Sequence, residues 1–289
     1  MIKGKIKKLL EDHIIKTVQD NSVAVLLSGG VDSVTVGLAA ESAGKEVQAY
    51  SFYLNGAPSY DFIKAAEVAH KSNWKFTPIV VPKDNIVNDW YRLVKHGCRK
   101  KTHFETVFPF LYVYPEITEK YVLTGWGADG YFGVSKKAMM RYSNNRKEEN
   151  YTKYCKEHNQ KQLSFDEFRI EYLDGDCAGY KEHTNLAKQY NKNHIAPYKD
   201  SMDIRSLLMS KTWKELNKPK QKDIIRKDFT TLEKYGTIKP HQNLHLNAGI
   251  DKLFETLLNN NEINFNNRKR MMDICRDWYE KEKNGILPI

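Results

Sequence analysis

The sequence predicts an α/β fold in which a parallel sheet is flanked by helices, followed by a mainly helical second half. Two observations lead to this prediction. Short apolar runs alternate with helical patterns through the first 135 residues, and the strand-like runs are continuous enough to be buried on both faces. A chain of 289 residues can also bury a large core without disulfides or metals.

Each element in order rests on the spacing of its apolar residues. Apolar positions three or four apart indicate a helix, whereas an uninterrupted run bounded by glycine or proline indicates a buried strand. In chain order we predict an amphipathic helix within residues 1–20, a strand at 23–27, a helix at 31–43, a strand at 46–53, a helix at 60–72, a strand at 76–81, a helix at 104–114 and a strand at 121–124. The carboxyl ends of parallel strands share one edge, where we expect a ligand site.

The composition changes after residue 135. Residues 136–162 are rich in Lys, Arg, Asn and Tyr with little apolar period, which predicts a long, partly mobile basic insertion. Beyond it the apolar spacing is mostly helical. We therefore divide the chain into an N-terminal helix (1–20), an α/β core (21–135), the insertion (136–162) and a helical part of the same domain (163–289).

Composition excludes several classes of protein. A hydrophobic content of 40% with 12% aromatic residues excludes general disorder, and no stretch approaches the roughly 18 apolar residues of a membrane span. The N-terminus lacks the pattern of a signal peptide. The four cysteines form no C-x-x-C pair, which favours a reduced, cytoplasmic setting over a zinc site or a disulfide framework. The net charge of +10 favours acidic partners such as nucleotides or nucleic acid.

The segment Leu27-Ser28-Gly29-Gly30-Val31-Asp32-Ser33 joins the first predicted strand to a helix. Its glycines let successive N–H groups point at an anion, and the helix N-terminus adds further unpaired N–H groups. The two serines add hydroxyl donors, whereas Asp32 beside a phosphate implies a cation such as Mg²⁺. A plain turn capped by Asp32 is the alternative, which six specified positions in this context disfavour. No lysine follows the glycines, so this is not a G-x-x-x-x-G-K-S/T loop.

Ser-Gly-Gly-Val-Asp-Ser at 28–33 resembles the PP-loop of the ATP pyrophosphatase superfamily, whose members cleave ATP between its α and β phosphates. Residues 123–133, which include Thr124, Gly125, Trp126 and Asp129, resemble the L-S/T-G-x-G-A/S-D-x-x-x-G segment of asparagine synthetases and β-lactam synthetases. The resemblance implies a Rossmann-like adenine nucleotide α-hydrolase fold that uses ATP and Mg²⁺. It implies Asp32 and Asp129 as metal ligands.

Weaker matches extend the resemblance over about residues 21–255. Residues 51–69 resemble the family's second strand and helix, residues 196–200 its P-F/Y-x-D element, residues 222–226 its K-x-x-L/I-R helix, and residues 239–245 its lysine-bearing strand. The resemblance implies catalytic roles for Asp32, Asp129, Lys222, Lys239 and His241, the last three as cations over the departing pyrophosphate. It implies nucleotide contacts from residues 27–33, Phe52, Thr124, Gly125 and Trp126.

Two positions depart from the family pattern. Trp126 stands where asparagine synthetases carry Glu, and an indole N–H only donates a hydrogen bond, so it cannot act as an acid–base group. His241 stands where the family has lysine. The N-terminal glutaminase domain is also expected to be missing, because Ile2 rather than a nucleophilic cysteine follows Met1. Ammonia would then come from a separate source.

We predict an AMP-forming ligase that adenylates a carboxylate and passes it to ammonia or an amine. Aspartate with ammonia is expected to be a poor substrate pair and a larger acid is favoured, because Trp126 can stack on a flat acceptor but cannot take a proton. Two alternatives stay open. One is a PP-loop enzyme that adenylates a base of tRNA or DNA, which the positive charge favours. The other is a nucleotide-binding protein without catalysis.

Overall fold

The computed structural model describes residues 5–56, 58–134, 147–174, 179–236, 238, 248–253 and 268–286. Within these residues, five strands form one parallel sheet in the order β3-β2-β1-β4-β5. The strands are β1 (Ser22–Leu26), β2 (Glu46–Leu54), β3 (Lys75–Val81), β4 (Tyr121–Leu123) and β5 (Asn193–Ile195). This architecture confirms the predicted fold class.

Helices connect and cover the strands. Those of the first half are α1 (Lys5–Thr17), α2 (Val31–Ser42), α3 (Tyr60–Lys71), α4 (Ile86–Lys95), α5 (Lys101–Val107), α6 (Phe110–Val113) and α7 (Ala128–Phe132). Later helices run over Lys147–Glu157, Phe165–Asp174, Tyr180–Gln189, Pro197–Asp200, Met202–Met209, Trp213–Asn217, Asp223–Asp228 and Arg268–Lys283, with 3₁₀ segments at Tyr114–Glu116 and Thr230–Tyr235. In the part of the chain that the structure describes, no helix combines the length and apolar character needed to cross a membrane.

The direction of strand addition reverses at β1. From β1 the chain adds β2 and then β3 on one side, and β4 then pairs with the other side of β1, with Val25 opposite Leu123. Such a reversal leaves a crevice at the carboxyl ends of the two central strands, which is where open α/β sheets bind ligands. Both glycine-rich segments begin there, one directly after β1 and the other directly after β4.

Both faces of the sheet are covered by apolar cores, as a parallel sheet requires. Because side chains alternate along a strand, Val23 and Val25 of β1 pack into the core beneath α1 and α2, whereas Ala24 packs into the core beneath α4, α5 and α6. Trp90 of α4 is fully buried in that second core. The sheet therefore holds the ends of β1 and β4 in fixed positions.

Part of the predicted basic insertion is helical. Residues Lys147–Glu157 form a helix, and Tyr151 and Cys155 on it are buried against Leu163 and Phe168. The many lysines between these residues hide their helical spacing from a sequence pattern. Residues 135–146 lie outside the described residues.

Candidate active site

The loop after β1 is held in shape by its own two serines. The N–H of Ser28 donates to Oγ of Ser33 at 3.1 Å, and the two hydroxyl oxygens lie 3.0 Å apart. Oγ of Ser33 also donates to the carbonyl of Gly30 at 3.2 Å. Helix α2 begins at Val31, so the unpaired N–H groups of its first turn adjoin the loop. The predicted anion-binding segment therefore has a fixed backbone at a helix N-terminus.

Gly29 is required by the close approach of helix α3. Its φ is 70°, a left-handed conformation that favours glycine. A Cβ on Gly29 would also lie 2.7 Å from Cβ of Lys64 and 2.8 Å from the backbone N of Ala65. The loop therefore packs directly on α3 at a point where only glycine fits.

Gly125 brings the second glycine-rich segment into contact with the first. A Cβ on Gly125 would lie 2.8 Å from Cβ of Asp32 and 2.8 Å from the backbone N of Ser33. Gly127 is in a left-handed conformation, with φ 91°, and a Cβ there would lie 2.9 Å from Cβ of Lys199. Residue 126 is thereby fixed between two close backbone contacts.

Asp32, Asp129 and Lys222 meet at one point. Nζ of Lys222 donates to Oδ2 of Asp32 and to Oδ1 of Asp129, at 2.5 Å in each case. The two carboxylates lie in the first turns of α2 and α7. The N–H of Lys222 donates to Oδ1 of Asn217 at 3.0 Å, and Asn217 in turn donates to the carbonyl of Phe132, which places the lysine beside α7. Three residues far apart in sequence thus form one charged centre.

The lysine in this centre is buried and charged. Lys222 is only 4% exposed, and burial by itself lowers the pKa of its ammonium group, but attraction to Asp129 and Asp32 outweighs burial and leaves the pKa raised above its ordinary value. At neutral pH the ammonium group therefore stays protonated between the two carboxylates.

The donor set of this centre fits Mg²⁺. Oδ2 of Asp32 and Oδ1 of Asp129 each lie 2.5 Å from Nζ of Lys222, so the distance between the two oxygens is at most twice that value. Mg²⁺ prefers carboxylate and phosphate oxygens, and in nucleotide sites it takes one or two carboxylates and completes its shell with phosphate and water. Among the described residues there is no group of three or more His, Cys, Asp or Glu side chains that could hold a metal alone. Asp32 and Asp129 could therefore hold Mg²⁺ with water or the phosphate oxygens of a ligand completing its shell.

A small cavity of about 40 Å³, partly open to solvent, adjoins the loop. Phe52 lies in its wall and packs edge-on against Phe110, with ring centroids 5.8 Å apart. The lining also includes Leu27, Ser28, Asp61 and Phe62. Because Leu27 and Ser28 belong to both the cavity and the loop, the two form one continuous site. Phe110 could not be predicted as a site residue, since only the packing of α6 on the sheet brings it there.

Trp126 contacts three other rings. Its ring lies 4.9 Å from that of His183, 6.1 Å from that of Tyr180 and 6.3 Å from that of His194, measured between centroids. We call Trp126, Tyr180, His183 and His194 the four-ring cluster. Tyr180, His183 and His194 were not predicted as site residues. His194 lies on β5, which has only three residues and no apolar run.

Both histidines of the four-ring cluster are uncharged. His194 hydrogen-bonds through Nε2 with Oγ1 of Thr124 at 2.9 Å and through Nδ1 with Oγ1 of Thr184 at 3.0 Å, and burial lowers its pKa to about 3. His183 is fully buried and hydrogen-bonds with the hydroxyl of Tyr114 at 2.7 Å. Burial, and then repulsion from His194, holds the pKa of His183 well below its ordinary value. Neither ring is protonated near neutral pH.

The predicted site residues thus fall into several sets. Those of the first loop form one turn after β1, Asp32, Asp129 and Lys222 meet at its edge, and Phe52 lies in the cavity wall while Gly125 packs on Asp32. Thr124 and Trp126 are in contact with the four-ring cluster. Lys239 and His241, predicted as further cations, lie outside the described residues.

A Gly-Gly turn and the carboxylate of Asp32 lie where the strand order of the parallel sheet reverses. The fold and the site therefore define an α/β protein with a PP-loop rather than a lysine-bearing phosphate loop. The family model for asparagine synthase matches residues 5–247. The match covers most of the chain, which therefore belongs to the asparagine synthase family. Members of this family use ATP, and the chain is an ATP-using enzyme of this family.

Comparison with solved structures gives several matches of low identity. They include a predicted subunit of tRNA methyltransferase from Methanocaldococcus jannaschii, at 16% identity and TM-score 0.33 over 65% of this chain and 74% of that one. They also include the NMN synthetase of Francisella tularensis, at 14% identity and TM-score 0.34 over 83% and 96%, and the NH₃-dependent NAD synthetase of Campylobacter jejuni, at 17% identity and TM-score 0.32 over 84% and 100%. No curated protein sequence matches the chain.

Proposed function

We propose that this protein is an AMP-forming ligase that adenylates a substrate carboxylate with ATP and transfers the acyl group to ammonia or an amine. The observation that carries the proposal is the convergence of Asp32 and Asp129 on Nζ of Lys222, at the edge of a glycine-rich anion-binding loop. Two carboxylates and a fixed cation at one point suit a polyphosphate with its metal, rather than a simple anion.

ATP would lie along the continuous site described above. The cavity beside Phe52 and Phe110 supplies flat apolar walls for the adenine ring, and Ser28 stands where the cavity meets the loop. The turn at Gly29 and Gly30 and the N-terminus of α2 would then bind the β and γ phosphates.

Asp32 and Asp129 would hold Mg²⁺. When bound, the metal neutralises phosphate charge and makes the phosphorus more electrophilic. Lys222 keeps its positive charge at neutral pH and would stabilise the negative charge that develops on the leaving pyrophosphate. Since none of these residues forms a bond to substrate, positioning and charge neutralisation would supply most of the rate enhancement.

The reaction would proceed in two displacements. An oxygen of the substrate carboxylate bonds to the α-phosphorus, and the bond from that phosphorus to the bridging α–β oxygen breaks, which releases pyrophosphate. The nitrogen of ammonia or an amine then bonds to the activated carbonyl carbon. The bond from that carbon to the oxygen shared with AMP breaks, so that AMP leaves with this oxygen, and the nitrogen loses a proton. The products are an amide, AMP and pyrophosphate.

The alternative is adenylation of a base in tRNA or DNA. The net charge of +10 favours it, whereas membership of the asparagine synthase family favours a carboxylate. Nucleic-acid binding that weakens steeply with salt would support the alternative.

Chromatography of the products of α-labelled ATP tests the proposal. Incubation with Mg²⁺, ammonium and a mixture of carboxylic acids should yield labelled AMP with an equal amount of pyrophosphate. Labelled ADP as the main product would contradict the proposal.

A further inference from the structure

We infer that the four-ring cluster binds the acceptor acid, and that this acid carries a flat, uncharged ring system rather than a second carboxylate. The inference rests on the proposed function, because it assigns the substrate class of the same site. It depends on the position of Trp126, on the stacking of the rings around it and on the uncharged partners of the two histidines.

Trp126 is fixed next to the charged centre. Its neighbour Gly125 packs on Asp32 and Ser33, and its other neighbour Gly127 packs on Lys199. Any movement of residue 126 would therefore need a movement of the first turn of α2. An acid in contact with the indole ring would have its carboxylate within reach of the nucleotide end of the site.

The rings are stacked in layers. Phe110, which lines the cavity beside the loop, stacks on His183 with centroids 4.2 Å apart and an interplanar angle of 17°. His183 stacks in turn on His194 at 4.5 Å and 22°. Because Phe110 belongs to both the cavity wall and this stack, the four-ring cluster adjoins the proposed adenine site.

The residues of the cluster differ in burial. As whole residues, Trp126, Tyr180 and His194 are half-buried, whereas His183 is fully buried. Aromatic rings gain most from a further ring stacked on, or placed edge-on to, an open face. A flat ligand would extend the existing layers, and a branched aliphatic acid would not.

A lysine and an aspartate contact the cluster. Nζ of Lys199 lies 5.0 Å from the ring centre of Tyr180, and the hydroxyl of Tyr180 donates to Oδ1 of Asp200 at 2.8 Å. Both histidines are neutral, and both nitrogens of His194 already bond to threonines. A second carboxylate placed against these neutral rings would lose its hydration. An uncharged ring would not incur that cost.

A nucleobase is also flat and is the rival occupant. Nucleic acid brings a phosphate at every nucleotide, and its binding needs several lysines or arginines along the path of the strand. Lys199 and Asp200, the two charged residues described above, have opposite signs, which does not favour a chain of phosphates. The surroundings therefore favour a small aromatic acid over a nucleic acid.

ATP–pyrophosphate exchange tests the inference. The exchange is measured with aspartate and glutamate, and with benzoate, nicotinate, 2-aminobenzoate and indole-3-acetate. At least one aromatic acid should give a kcat/KM about tenfold or more above that of aspartate, the size of one good stacking contact. A best rate with aspartate or glutamate, or no aromatic acid above aspartate, would overturn the inference.

Variants of Trp126 show whether the ring itself selects the acid. Trp126→Ala should raise the KM for the best aromatic acid about tenfold with little change in the KM for ATP, and Trp126→Phe should restore most of the affinity. An equal loss in both variants, or a change confined to the KM for ATP, would remove the cluster from the acceptor site.

The same reactions separate this inference from the proposed function. Formation of ADP in place of AMP would contradict the ligase itself. Formation of AMP and pyrophosphate with dicarboxylic acids preferred would contradict only the inference. AMP released only when tRNA or a DNA oligonucleotide is added would assign the cluster to a nucleobase and overturn both the acid and the amide product.

Discussion

The charged centre and the four-ring cluster lie at the same edge of the sheet but treat buried ionisable groups in opposite ways. In the charged centre, Lys222 is buried and keeps its proton because Asp32 and Asp129 each accept a hydrogen bond from it. In the four-ring cluster, burial keeps His183 and His194 neutral, because their partners are hydroxyl groups without a charge that could offset it. Partners as well as burial therefore decide the charge, which is why we propose phosphate as the ligand of the first region and an uncharged ring as the ligand of the second.

The low pKa of His194 also decides whether this residue can replace the acid–base group that Trp126 does not supply. A general base works best when its pKa is near the working pH. Burial lowers the pKa of His194 to about 3. His194 is therefore too weak a base to take over that role, and we expect the amine to react as the free base.

The largest expected effect comes from removing a carboxylate of the charged centre. Asp129→Asn should lower the Mg²⁺-dependent kcat/KM for ATP well over tenfold, as should Asp32→Asn, because each change removes a charged metal ligand. The matched control is Asp203→Asn, at an exposed aspartate, which should keep parental kinetics. Parental turnover in either site variant would show that the metal assignment is wrong.

Removing the cation of the charged centre should change metal binding itself. In Lys222→Met the two carboxylates lose the ammonium group between them, so Mn²⁺ should bind about tenfold more tightly without ATP than it does to the parent, while AMP formation falls. The exposed neighbour Lys220→Met serves as control. An electron paramagnetic resonance titration measures free Mn²⁺. An unchanged affinity in Lys222→Met would show that the two carboxylates do not bind the metal.

Contact between the two glycine-rich segments can be tested with a methyl group. Gly125→Ala places Cβ 2.8 Å from Asp32, so it should displace Asp32 and lower kcat/KM several-fold or more. In Gly44→Ala the new Cβ meets nothing within 4 Å, and its left-handed backbone costs about 1–2 kcal/mol of stability. Thermal unfolding and kinetics of both variants decide the point. A smaller loss of activity in Gly125→Ala than in Gly44→Ala would contradict the contact between the two glycine-rich segments.

The smallest effect concerns pH and stability. The unfolded chain protonates His194 as the pH falls through about 6.5, whereas the folded protein does so only near 3, so stability should be lost on acidification between these values. His194→Gln keeps a donor and an acceptor for Thr124 and Thr184 but cannot titrate, and should flatten part of the dependence of Tm on pH between 7.5 and 5. The control His158→Gln, at an exposed histidine, should keep the parental slope. Equal slopes in both variants would show that His194 is not held neutral.

The loop after β1 and the segment that carries Asp129 were predictable because their residues follow local sequence patterns. The run that becomes β1, the two glycines and Asp32 are consecutive, and the second segment follows β4 in the same way, so strand order alone brings Asp32 near Asp129. Lys222 was placed there by resemblance to a K-x-x-L/I-R helix. Its left-handed backbone, with φ 57°, leaves no sequence pattern.

The four-ring cluster was not predictable beyond Trp126. Tyr180 and His183 lie on the helix Tyr180–Gln189, and His194 lies on a strand of three residues. These rings meet only because β5 pairs with β4 and the helix Tyr180–Gln189 packs beside β5. Contacts set by packing between distant segments carry no local periodicity that a sequence could reveal.

The position of the metal beside bound nucleotide tests the central claim most directly. Crystals grown with ATP and Mn²⁺ would give an anomalous peak at the metal. We expect that peak between the carboxylates of Asp32 and Asp129, with a phosphate oxygen completing its coordination and Nζ of Lys222 displaced from between them. A peak elsewhere, with Lys222 still bonded to both carboxylates, would contradict the account of the charged centre as the site where ATP is activated.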